Sequence, residues 1–269
     1  MATLLLVTGC QSTPDLSGRP TEADEAVIYI SRFKSGDGDE ARLATLPVAA
    51  IYGDGRIIRP ASQIAVDPAP ALPGLQVTTL DDAGVDLVLA KAAEAGLVGA
   101  DRELRLPTEK DPTITAFDIF LDGQRRRTIV ESLAEIADDD PRLPPKGQAE
   151  RMSMKMVVQM LTDPSATLAG NIVGEDALYA PTAVRVLVAP ADGTEGAAVE
   201  WPLADLATIG DPVGSASGLR CAVIEGDDWS TVEPIAASAN QATPWSSGGA
   251  EYSLRFRPLL PGESAASGC

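Results

Sequence analysis

Leu46-Pro47-Val48-Ala49-Ala50-Ile51, then Tyr52-Gly53-Asp54-Gly55, then Arg56-Ile57-Ile58: two apolar runs on either side of an Asp-Gly pair decide the fold class of this chain. Asp-Gly in that setting is the strongest short-range signal of a β-hairpin, and a type I′ turn there requires positive φ at both Asp54 and Gly55. Upstream, residues 26–33 alternate Val27, Tyr29 and Ser31 against Ile28 and Ile30, which predicts a strand buried on both faces. Downstream, Thr79 with Asp82 three residues on reads as a helix-capping box. The helix it opens sets Val85, Val88, Leu89 and Ala92 on one face and stops at Gly96.

The same figure returns as a strand at 114–121, a turn at Asp122-Gly123, a strand at 127–133 and a helix at about 147–161. Two hairpins, each followed by a helix, make a β-β-α-β-β-α unit whose helices are expected to cover one face of an antiparallel sheet. A smaller C-terminal α+β part follows, with strands at 183–189, 219–224 and 251–257 and a helix at about 230–239. Ser230 and Glu233 suit a capping box for that helix, and Pro234 is tolerable only in its first turn. In the last strand Tyr252, Leu254 and Phe256 form the face expected to be buried, with Ser253, Arg255 and Arg257 pointing away. The expected class is α+β.

Location is read from the other end. Leu4-Leu5-Leu6 followed by Val7-Thr8-Gly9-Cys10 has the pattern of a bacterial lipobox, in which the peptide before the cysteine is removed and the thiol acylated. A secretory signal carries Lys or Arg before an apolar region of about 7 to 15 residues, and only residues 2–7 precede this box, so a start upstream of Met1 is expected. The competing reading is the opening of a buried strand. Residues 11–25, rich in Ser, Thr, Pro, Gly and acids, suit a solvated spacer. The expected organisation is therefore a lipoprotein signal remnant (1–10), a tether (11–25), the β-β-α-β-β-α domain (26–165) and a C-terminal domain (180–269). The chain is expected to be anchored to the outer face of a membrane by its acyl chains and not to span it.

Three cysteines in an exported chain leave one over unless it is used elsewhere. With Cys10 acylated, Cys221 and Cys269 remain, and in an oxidising compartment they are read most economically as a disulfide closing the C-terminal domain. Two unpaired thiols are the alternative.

The formal charge of -18 leaves little for a phosphate backbone to bind. The basic run Arg125-Arg126-Arg127 has Asp122 and Glu131 beside it, so nucleic acid is not an expected partner. There is no histidine, which removes Ser-His-Asp and Cys-His catalysis and imidazole zinc sites.

The remaining chemistries each fall short of a motif. Met152, Met154 and Met156 spell MxMxM, and thioethers suit Cu(I), but on a helix Met154 points away from the other two. Adaptable core packing is the favoured reading. Ser31-Arg32-Phe33-Lys34 and Ser238-Ala239-Asn240 match two marks of penicillin-interacting enzymes, while the third, KTG, is missing. Gly214-Ser215-Ala216-Ser217-Gly218 has Ala where a nucleophile elbow needs Ser. Asp37-Gly38-Asp39-Glu40 continues into Ala41, where a Ca²⁺ loop needs oxygen. Among 39 acids nothing singles out a catalytic pair. Trp201, Trp229 and Trp245 suit core packing better than a ligand groove.

Two resemblances accompany these readings. Tyr52-Gly53-Asp54-Gly55-Arg56, the helix after it, and Asp111-Pro112-Thr113 with its second Asp-Gly turn resemble a bacterial domain of unknown function found in lipoproteins, marked by an xDGxV hairpin and a TDxPT segment. It covers roughly 46–162, and this chain has no residue between Asp111 and Pro112. Trp201-Pro202, Arg220-Cys221, Ala239-Asn240, Thr243, Trp245 and Arg257-Pro258-Leu259-Leu260-Pro261 with Glu263 and Cys269 resemble a group of uncharacterised actinobacterial lipoproteins. That likeness implies the anchor and the bridge and no activity. The expectation is an exported lipoprotein with a binding or structural role toward a cell-envelope protein or small ligand, with no cofactor. A carboxylate-based hydrolase or a Cu(I)-binding protein is the alternative.

Overall fold

The computed structural model describes residues 16–62, 66–106, 110–191, 196–214, 218–263 and 269. Among them, strands β1 (Ala26–Lys34), β2 (Ala49–Tyr52), β3 (Arg56–Pro60), β4 (Leu75–Thr79), β5 (Arg102–Leu104), β6 (Thr113–Leu121), β7 (Gln124–Glu131) and β8 (Ala177–Leu178) form one sheet in the order β5-β7-β6-β1-β2-β3-β4-β8. Strands β9 (Ala183–Pro190), β10 (Val199–Glu200), β11 (Asp211–Pro212), β12 (Arg220–Glu225), β13 (Pro244–Ser247) and β14 (Ala250–Pro258) form a second, ordered β10-β13-β14-β9-β12-β11. The helices are α1 (Asp39–Ala44), α2 (Asp82–Glu94), α3 (Pro145–Thr162), α4 (Pro164–Thr167) and α5 (Gly226–Ser238). Pairing is antiparallel except at β5-β7 and β10-β13, so the class is α+β.

The period-2 pattern of β1 sets the layers. Ile28 and Ile30 face α2 and α3 in a core with Ile51, Ile57, Phe117 and Ile119, and all six are fully buried. Tyr29 points to the opposite face, where Ala50, Tyr52, Ile58 and Leu75 pack against Leu260. β1 is central, paired with β2 on one side and β6 on the other, but burial on both faces is met only in part: Val27, Ile28 and Ile30 are buried on the helix side, while Tyr29 on the other face is half-buried.

The two Asp-Gly turns differ. At Asp122-Gly123 both residues have positive φ (54° and 68°) and Leu121 pairs with Gln124, the two-residue connection expected of a type I′ turn. At the first hairpin only Gly55 has positive φ, 85°. Its loop is the three residues Gly53-Asp54-Gly55, closed by Gly55 N–H donating to Tyr52 O, so the type I′ expectation there is corrected to a longer loop with one left-handed glycine. A Cβ on Gly55 would collide with the Leu80 carbonyl oxygen, a close approach that only glycine permits.

Helix boundaries shift for local reasons. The cap of α2 is Asp81, whose carboxylate accepts from Gly84 N–H at 2.8 Å; Thr79 is the last residue of β4 and caps nothing. The face Val85, Val88, Leu89 and Ala92 is buried as expected, and Gly96 ends the helix at φ 70°. α5 begins four residues before the expected Ser230 because Gly226 turns the chain at φ 61° and Asp227 and Asp228 complement the helix dipole. Pro234 then lies inside the helix, which is anchored by Trp229, Val232 and Ala236 in the second core.

The sheets interlock. α1, inserted between β1 and β2, contacts β9 and β14 of the second sheet. It thereby buries Arg185 and Arg257, whose guanidinium groups donate to Leu43 O and Thr45 O. This corrects the outward position expected for Arg257, which is 3% exposed. Ala71 of the first region packs in the core of the second, Leu260 packs on the first sheet, and Ala71 N–H bonds to Ala239 O. Trp201, Trp229 and Trp245 are core residues, with Trp245 edge-on to both Trp201 and Phe256.

Candidate functional site

The face of the first sheet turned away from α2 and α3 floors an open cavity of about 650 Å³. Tyr29 of β1, Tyr52 of β2 and Phe120 of β6 reach it because each sits one position out of phase with the apolar helix-side residues of its strand. One wall is the strap 18–25, which carries Glu22, Asp24 and Glu25, all exposed. The other is the turn 261–263, ending at Glu263.

Each wall is fixed by an arginine, partly buried on one side and fully buried on the other. Arg19, 11% exposed in its side chain, pairs with Asp82 at 2.7 Å and Asp86 at 3.0 Å on α2 and donates to Gly53 O, while Gly18 O accepts from Asp122 N–H. Leu16 packs against the first core. The spacer expected over 11–25 therefore lies on the fold from Leu16 onward. On the opposite wall Arg257 donates to both oxygens of Glu263, at 2.6 Å and 2.8 Å, and Leu260 N–H donates to Glu263 Oε2 at 2.9 Å. Tyr29 joins this clasp: its hydroxyl accepts from Arg257 Nη2 at 3.2 Å and donates to Glu263 Oε1 at 3.3 Å.

The electrostatics follow from these contacts. Burial pushes the Glu263 carboxyl upward, but the hydrogen bonds and charge of Arg257 outweigh it and hold the group below the usual carboxylate range. Burial, and then the Glu263 charge, raise the Tyr29 and Tyr52 phenols far above their ordinary value, so both stay protonated. Asp118, paired in register with Tyr29, is raised by burial against the counter-effect of Arg127, its ion-pair partner at 3.0 Å. Near neutral pH the cavity offers hydrogen-bond donors and acceptors and fixed charge. Glu263 is committed to Arg257, while the carboxyl groups of Glu22, Asp24 and Glu25 are exposed at the cavity's rim.

Of the residues singled out from sequence, Cys221 and Cys269 form a disulfide with Cα atoms 5.6 Å apart, Cys221 being 1% exposed on β12. Cys10 lies outside the described residues. Met152 and Met156 are 50% and 45% exposed on α3, whereas Met154 is fully buried, so the three thioethers do not converge. Ser31 is in β1, and residues 215–217 are outside the described residues. Among the described residues no group of three or more His, Cys, Asp or Glu side chains is arranged to hold a metal ion.

Sequence reasoning missed the clasp and the tyrosines. Arg257 and Glu263 stood in the Arg-Pro-Leu-Leu-Pro-Gly-Glu string, but β14 ends at Pro258, so the strand period does not extend to Glu263, and the turn at Gly262 (φ 78°) brings the two together. No family model, curated protein or solved structure matches this chain.

Proposed function

We propose that this is an exported lipoprotein, acylated at Cys10 and held on the outer face of the cell membrane, where it acts by binding and not by catalysis. The disulfide carries the location: such bonds persist in oxidising compartments and are rare where thiols are kept reduced. With Cys221 and Cys269 joined, Cys10 is the remaining cysteine and is free for acylation. Among the described residues no helix is long and apolar enough to cross a membrane, so attachment rests on the acyl chains. Binding is favoured over hydrolysis because Glu263, the carboxylate beside the Tyr29 phenol, is neutralised by Arg257 and the Tyr29 and Tyr52 phenols stay protonated, while Glu22, Asp24 and Glu25 lie exposed on the rim.

The likeness to actinobacterial lipoproteins is part of the same proposal, and the partner is a cell-envelope component or a small ligand. The test is intact-mass analysis of the protein from its native host. Fatty acylation at Cys10, a mass two hydrogens short of the reduced chain, and partition into the membrane fraction are expected. An unmodified, fully reduced chain recovered from cytosol overturns the reading.

A further inference from the structure

Helix α3 carries two kinds of methionine, and core packing accounts for only one of them. Met154 is fully buried and Met160 is 4% exposed, both in the first core, whereas Met152 and Met156 are half exposed. Among the described residues six large apolar side chains are exposed, and three of them, Leu87, Met152 and Met156, stand together in one groove between α2 and α3. Met160, although part of the core, lines the same groove.

The spacing explains the grouping. Residues 152, 154 and 156 step by two, which on a helix of 3.6 residues per turn sends alternate side chains to opposite sides. Residues 152, 156 and 160 step by four, about 40° each, and form one row along the helix. Neighbours in such a row have Cβ atoms about 5 to 6 Å apart, and three rotatable bonds let each thioether swing toward the next. The pattern that matters is therefore MxxxMxxxM, with Met154 left to the core.

Soft donors are few elsewhere in the chain. There is no histidine, and Cys221 and Cys269 are joined to each other. Apart from Met1 and Cys10, the soft donors are the four methionines of α3, and three of these meet in the groove. Thioethers suit Cu(I), whereas Mg²⁺ and Ca²⁺ prefer oxygen. Lys91, which also lines the groove, is paired with Glu94 at 2.7 Å, so its charge is offset. The net charge of -18 raises the local concentration of cations around the molecule.

We infer that Met152, Met156 and Met160 form a binding site for a soft monovalent metal ion, Cu(I) or Ag(I). Met152 and Met156 receive the ion from solvent, and Met160 is the third ligand, where the groove meets the core. The inference goes beyond the binding reading above. It concerns the helix layer and not the cavity on the other face of the sheet, and it does not depend on acylation of Cys10.

The test is titration of the full chain with silver nitrate in chloride-free buffer, followed by calorimetry and by the methionine methyl signals in NMR. A Cys10→Ser background keeps a free thiol from competing. Saturation is expected, with shifts confined to the Met152, Met156 and Met160 methyls. Cu(I), supplied under nitrogen with ascorbate, is expected to shift the same three signals, and Mg²⁺ to leave them unmoved. Met152→Leu with Met156→Leu, a volume-conserving exchange at exposed positions, is expected to abolish saturation. Met160→Leu is expected to weaken binding and Met154→Leu to leave it unchanged.

Absence of saturation, binding that survives the double leucine variant, or a Met154→Leu loss as large as that of the double variant overturns the inference. So does a shift of the same signals by Mg²⁺, which marks attraction of any cation to an acidic chain. If Met154→Leu, a core exchange, does not fold, the wild-type spectrum decides: a shifted Met154 methyl counts against the site and an unshifted one supports it.

Discussion

Replacing Glu263 by Gln keeps the shape of the side chain and removes its charge, and the hydrogen bonds around it set the cost. The carboxylate accepts four of them: two from Arg257, one from Leu260 N–H and one from Tyr29. The amide supplies one oxygen and one donor, so at least one Arg257 or Tyr29 donor loses its acceptor. The Arg257 charge is left in a side chain 4% exposed, with Thr45 O as a neutral partner. Breaking a buried ion pair from one side costs about 3 to 5 kcal/mol. Since the Glu263 side chain is 22% exposed and water offsets part of the loss, the lower end, about 3 kcal/mol, is expected. That is a large share of the roughly 5 to 15 kcal/mol that holds a domain folded. The assay is urea unfolding at pH 7, followed by far-UV circular dichroism and by tryptophan fluorescence. The double variant Glu263→Gln with Arg257→Met removes the stranded charge and is expected to recover most of the loss. Because the Glu263 pKa is depressed on folding, its contribution is present above the unfolded carboxylate value and fades as pH falls through the lower folded value, so the deficit of Glu263→Gln shrinks in acid. A deficit under about 1 kcal/mol at pH 7, or one that does not shrink in acid, would refute the clasp as a charge-dependent lock.

Other perturbations have equally definite outcomes. Cys221→Ser with Cys269→Ser opens a loop with a sequence separation of 48, and the chain-entropy relation gives a loss of about 4 kcal/mol, measured as the shift in thermal unfolding between oxidised and reduced wild type and the variant. Asp81→Ala removes the α2 cap and its bond from Asn171, and is expected to cost about 1 kcal/mol in urea unfolding. Met154→Ala is expected to cost about 2 to 5 kcal/mol and Met152→Ala almost nothing, because one is fully buried and the other half exposed; equal effects would contradict the orientation of α3. Asp118, raised on folding, acts oppositely to Glu263: its contribution is full below the unfolded carboxylate value and is lost as pH rises through the folded value. Stability of wild type relative to Asp118→Asn is therefore expected to grow on acidification.

The α+β class and most elements were legible because they rest on local periodicity. The β1 alternation, the α2 apolar stripe and the Asp122-Gly123 turn each repeat a backbone geometry that a short window reveals, and the Asp54-Gly55 pair marked its hairpin but not its loop geometry. Boundaries failed where a neighbouring residue offered a better local solution, as Asp81 did over Thr79 and Gly226 over Ser230. The fate of Arg257 was not legible because its burial comes from α1, some two hundred positions earlier, and alternation along β14 carries no information about what covers its second face. The cavity was hidden for the same reason: Tyr29, Tyr52 and Glu263 are ordinary residues in their own segments and meet only through register and turn. The disulfide was reached by counting thiols, an argument about compartment and not about geometry.

Tyr29 and Glu263 are 234 positions apart, and the cavity between them is bounded by residues 18–25 on one side and 261–263 on the other. Contacts of such separation form late, because a long loop must close before they are rewarded. During synthesis the strap 18–25 leaves the ribosome long before its opposite wall has been translated. An emerging chain therefore has no finished cavity, and the two walls meet only once both ends of the polypeptide have been made and folded together.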